Sequence, residues 1–108
     1  MSMTVVVAID VPDRYHGFLA SALCEIATSV YVSAGLSIAV RDRIWSVLSE
    51  WYAAAPQGQI TMVWVASKAD GRIGLLQLGE HPRDLCWQQS TLLARLPLLP
   101  ADRRTLNL

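Results

Sequence analysis

Lysine and phenylalanine each occur once in this 108-residue chain, histidine and cysteine twice, and acidic and basic residues balance to a formal net charge of zero. A neutral chain does not coat nucleic acid through bulk charge, so any grip on a polyanion has to come from local patches. The two cysteines, Cys24 in a helical pattern and Cys86 in a late loop, form no Cys-x-x-Cys pair and have no histidine at ligand spacing, which excludes the common zinc motifs. They are expected to be free thiols in a reducing compartment. No long apolar run occurs either. Thr4 to Ile9 is apolar, but Asp10 and Pro12 end it far short of the ~20 residues of a membrane helix, so it is expected to be a buried strand of a cytoplasmic protein. Glycine-rich phosphate loops, a nucleophile elbow and Ser/His/Asp or Cys/His groupings are missing as well.

Apolar side chains, by contrast, are abundant: 53% of the residues without counting glycine, against roughly 45–50% with glycine in an ordinary domain. Part of that surplus is expected in a subunit interface. Eight of the nine basic residues are arginine, whose planar fork suits bidentate phosphate binding better than lysine's point charge, although a GC-rich genome also supplies arginine by default.

Met3 to Ile9 reads as a central strand buried on both faces. Tyr15, Phe18, Leu19, Ala22, Leu23 and Ile26 then recur at helical spacing, with Arg14, Ser21, Glu25 and Thr28 opposite and Asp13 placed to cap. Val30-Tyr31-Val32 predicts a short strand ending in the turn composition Ser33-Ala34-Gly35. Ser37 is positioned to cap a second helix with the stripe Val40, Ile44, Val47, Leu48 and Trp51, closed by Ala53 to Gly58. Ile60–Ser67 and Ile73–Leu78 predict a hairpin around Asp70-Gly71. A polar loop from Gly79 to Asp84 leads past Trp87 to a last strand, Leu92–Leu96, stopped by Pro97 and Pro100. Two helices on one face of a mainly antiparallel sheet give an α+β, ferredoxin-like sandwich, one strand short between the helices. One domain is expected over residues 1–97, with 98–108 as a C-terminal tail.

Candidate chemistry is sparse. Asp10 closes the first strand, and two copies brought together by a twofold axis would share one Mg²⁺ for phosphodiester cleavage; the alternative is an ordinary polar residue ending a strand. Arg14, His16, Arg41 and Arg43 lie near the starts of the two helices, where backbone N–H groups also favour phosphate, with Asp42 weakening the field between the last two. Trp45, Trp51 and Trp64 fit core patterns, whereas Trp87 suits an interface.

Met1-Ser2-Met3-Thr4-Val5-Val6-Val7, Val11-Pro12 followed by Arg14, Val30-Tyr31-Val32, Arg41-Asp42-Arg43-Ile44-Trp45 and Met62-Val63-Trp64, in that order, resemble the type I-E branch of CRISPR-associated protein 2 from Met1 to about Pro97. The resemblance implies a ferredoxin-like homodimer that sits between dimers of the CRISPR integrase, CRISPR-associated protein 1, binds double-stranded DNA and serves spacer acquisition. It assigns backbone contacts to Arg14, His16, Arg41 and Arg83; Arg43, where the branch is apolar, is added by inference. Asp10 resembles an aspartate linked in the wider family to metal-dependent cleavage of RNA or DNA, but the branch carries its acid one position earlier, where this chain has Ile9. Leu92, Leu93, Ala94, Arg95 and Leu96 resemble a strand that docks on the integrase by backbone pairing.

Three functions follow as expectations. The first is a DNA-holding scaffold that needs no cofactor of its own; the second is a Mg²⁺-dependent endonuclease using Asp10 from both subunits. The third, a small-molecule sensor, requires a roomy apolar pocket, against which the large side chains of both stripes argue.

Overall fold

The structure is a computed structural model that describes residues 2–67, 72–80, 84–88 and 91–95, with side chains for 3–66 and 72–80. The chain runs β1 (Ser2–Ile9), α1 (Asp13–Ala22), β2 (Cys24–Ala27), β3 (Val30–Leu36), α2 (Ile38–Ala54), β4 (Gln59–Ser67), β5 (Arg72–Leu78), β6 (Asp84–Gln88) and β7 (Thr91–Arg95). The first five strands form one antiparallel sheet in the order β2-β3-β1-β4-β5. Two helices and this sheet make the α+β, ferredoxin-like arrangement expected from the pattern.

The core follows from strand alternation. Thr4, Val6 and Ala8 of β1, Tyr31 of β3, and Ile60 and Met62 of β4 are sealed against Tyr15 and Leu19 of α1 and Ile44 and Leu48 of α2. The intervening positions point to the sheet's other face, where no helix lies among the described residues.

Two strands, not one, separate the helices. The stripe drawn through Ile26 runs too far: α1 ends at Ala22, Leu23 turns to extended backbone, and Ile26 lies on β2 with 62% exposure. A β-branched residue four places after Ala22 fits helical spacing by coincidence, and sheet pairing decides. Thr28 and Ser29 close a tight turn with Ser29 at φ 66°, and its N–H donates to Glu25 Oε2 at 3.3 Å. Cys24 thus stands on a strand, as an exposed free thiol. The same competition extends β3 through Ser33-Ala34-Gly35; the expected turn is a register irregularity against β1 between Ser2 and Thr4.

Ser37 caps α2 as expected, its Oγ accepting from the N–H of Val40 at 3.2 Å. Asp13 does not cap α1. Pro12 takes that position, and Asp13 is the first helical residue, still placed to favour the positive helix end. Val40, assigned to the apolar stripe, is 46% exposed. The β4–β5 hairpin forms as expected, with Met62 opposite Leu76 and Trp64 opposite Gly74; its apex, 68–71, lies outside the described residues.

Trp87 and Cys86, expected in a loop, fall on the backbone of β6, which pairs antiparallel with β7 as a separate hairpin. β7 begins one residue earlier than expected, at Thr91, and carries Leu92, Leu93, Ala94 and Arg95. Leu96, Arg83 and the tail from Pro97 lie outside the described residues.

Candidate nucleic-acid interface

Arg14 sits in the first turn of α1 and is exposed, yet its guanidinium carbon lies 4.5 Å from the centroid of the Trp51 ring and 5.7 Å from that of Tyr15. Trp51 itself packs edge-on against Tyr15 at 5.2 Å and Phe18 at 5.4 Å. Since Trp51 belongs to the last turn of α2, the start of α1 lies beside the end of α2 and the helices run antiparallel.

Arg41, one turn into α2, is therefore not a neighbour of Arg14. Ten residues separate Arg41 from Trp51, about 15 Å along a helix. Its guanidinium lies 4.0 Å over the Trp64 ring and its side chain is 13% exposed. Arg41 Nε is enclosed without a hydrogen-bond partner among the described residues; Asp42 Oδ1, at 3.8 Å, is an ion-pair neighbour beyond hydrogen-bonding reach. Arg43 is exposed and belongs to no ring stack or ion pair in the described part of the chain. The arginines expected near the two helix starts thus form two separate stations, Arg14 at one end of the helical layer and Arg41 with Arg43 at the other.

His16 turns inward rather than outward. It is half-buried, and its Nδ1 lies 2.8 Å from the Tyr31 hydroxyl, which β3 holds fully buried. Burial first, and then the charge and hydrogen bond of Glu25, push the Tyr31 phenol above its ordinary range. His16 is available to phosphate only through the ring edge that Tyr31 does not use.

Asp10 is exposed and has φ 59°, the left-handed region that aspartate tolerates better than most residues. Its main-chain carbonyl accepts from Gln57 Nε2 at 3.1 Å. Gly58 crosses just above it at φ 78°: a Cβ there would lie 2.4 Å from the Ile9 carbonyl oxygen. Asp10 is thus built into a close crossing of β1 and the start of β4. No group of three His, Cys, Asp or Glu residues occurs among the described residues. Magnesium demands near-octahedral oxygen coordination, and the single carboxylate that each chain places at this crossing does not fit that need.

Sequence patterns read Trp51 and Trp64 as packing alone and gave Gly74 no role. A glycine inside a strand, directly opposite a tryptophan, was the available signal. No helix among the described residues is long and apolar enough to cross a membrane. Residues 3–89 match the family described as CRISPR-associated protein (Cas_Cas2CT1978). That match spans most of the chain, and with the ferredoxin-like fold it places this protein in the CRISPR-associated Cas2 family.

Proposed function

We propose that the chain is the non-integrase subunit of a type I-E CRISPR adaptation complex. It acts in the cytoplasm as a homodimeric scaffold that holds duplex DNA and bridges dimers of the integrase during spacer acquisition. The observation that carries the dimer is the uncovered sheet face. By register, Met3, Val65 and Ile73 make one row across it, and Cys24, Val32, Val5, Val63 and Leu75 a second. Such contiguous apolar rows on one side of a sheet call for a cover, and a second copy offers a matching surface.

DNA contact on this reading is local, through Arg14 at one station and Arg41 and Arg43 at the other, with His16 and Arg83 as further contacts. These groups address phosphate, so the grip is sequence-independent. Insertion chemistry belongs to the integrase, and the β6–β7 hairpin, with Leu92 to Leu96, is the proposed docking strand.

The test is co-purification with an integrase encoded nearby, combined with spacer capture by the Asp10→Asn variant. Scaffolding expects a complex that binds duplex DNA and captures spacers at wild-type level despite the variant. Loss of capture with the complex and its DNA binding intact would overturn the scaffold reading in favour of the alternative, a Mg²⁺-dependent endonuclease with Asp10 from both subunits. Truncation after Thr91 is expected to leave a folded dimer that no longer joins the integrase.

A further inference from the structure

Both stations have the same construction: an arginine laid on an indole. Arg14 lies on Trp51 at 4.5 Å and Arg41 on Trp64 at 4.0 Å. A guanidinium lying over a ring keeps its N–H donors at its own edge, where the exposed ones can meet an anion: Arg14 is exposed, whereas at Arg41, 13% exposed with Nε enclosed, only the terminal nitrogens remain for that contact. The long arginine side chain is then ordered before any ligand arrives, which removes part of the entropic cost of binding.

The second station shows how far the chain is adapted to the stack. Trp64 lies on the helix-facing side of β4, in line with Ile60 and Met62, and its cross-strand partner is Gly74. A Cβ at residue 74 would lie 2.1 Å from Trp64 Cε2 and 2.4 Å from Nε1. The indole therefore occupies the place of a side chain on β5, with Arg41 of α2 over its ring. Gly74, Trp64 and Arg41 form three successive layers from sheet to helix.

We propose that Trp51 and Trp64, the latter seated by Gly74, are positioning residues for the DNA backbone: they touch no nucleic acid and hold Arg14 and Arg41 in a phosphate-ready arrangement. The inference rests on the DNA-holding reading above, and its test separates the two.

Binding of a fluorescently labelled, random-sequence DNA duplex to the full-length chain is measured against salt for Arg14→Ala, Arg41→Ala, Trp51→Leu, Trp51→Phe and Gly74→Ala. Removal of either arginine should weaken binding and lower the salt slope by about one phosphate contact per subunit. Trp51→Leu should weaken binding about fivefold, the scale of ordering one long side chain, while the slope stays as in the wild type because the charge remains. Trp51→Phe should restore most of the loss, and Gly74→Ala should act as Trp51→Leu does. The double variant Arg14→Ala/Trp51→Leu should bind no more weakly than Arg14→Ala.

Wild-type binding by both arginine variants would defeat the DNA-holding reading itself. Arginine variants that bind weakly, beside folded Trp51→Leu and Gly74→Ala proteins that bind as wild type, would overturn the positioning role alone. A readout without DNA guards against loss of fold. Heteronuclear relaxation of arginine Nε should show Arg14 ordered in the wild type and mobile in Trp51→Leu; equal mobility in the two would also overturn it.

Discussion

Asp10 has a conformational role that can be tested apart from any chemistry. Its left-handed backbone and its carbonyl, held by Gln57, are what the fold uses. Asp10→Asn is therefore expected to unfold in urea at the wild-type midpoint, whereas Asp10→Val should lose about 1–2 kcal/mol, since β-branched residues resist this conformation. Tyr31 yields a second expectation. Its phenol is raised in the fold by burial and by Glu25, so the neutral form is the one favoured. The contribution is complete below the ordinary tyrosine range near 10 and is lost as pH rises through the higher folded value. Stability against urea should fall on the alkaline side, and Tyr31→Phe should flatten that part of the profile.

At the scale of elements, α2 and its cap illustrate what periodicity reads well. Ser37→Ala should cost about 1 kcal/mol through the lost bond to the Val40 N–H, and Leu48→Ala about 2–5 kcal/mol from the sealed core. Ile26→Ser should cost less than about 0.5 kcal/mol. Thermal and denaturant unfolding check all three, and a large loss for Ile26→Ser would contradict the end of α1 at Ala22. The strand–helix–strand order, the second helix and the β4–β5 hairpin were legible because apolar spacing and turn residues there agree with the final packing. The boundary of α1 was not. Ile26 suits both periods, and only the pairing of β2 with β3, a contact between segments, decides between them. The arginine stations escaped for a similar reason. Helix-start arginines are visible one helix at a time, whereas the antiparallel packing that parts Arg14 from Arg41 belongs to the assembled layer.

For the whole molecule, the balance of surfaces matters more than net charge. Helices cover one face of the five-stranded sheet, and the rows through Val5 and Val63 cross the other. Introducing charge there, as in Val63→Asp, should convert a dimer into a folded monomer, as read by analytical ultracentrifugation over a range of concentrations. A variant that remained dimeric would place the subunit contact elsewhere. Duplex affinity should fall in the same variant, because a monomer offers half the stations and loses the multivalent advantage.

The antiparallel helices carry one more consequence. Arg41 is on α2 and Arg14 rests on the far end of the same helix, so the stations are held apart by one rigid rod, whose rise over the ten residues from Arg41 to Trp51 is about 15 Å. In the proposed DNA-holding role, that helix acts as a gauge. Loops around it can lengthen or shorten without altering its reading, while a turn added within α2 would change the spacing of phosphates that the two arginines can meet together.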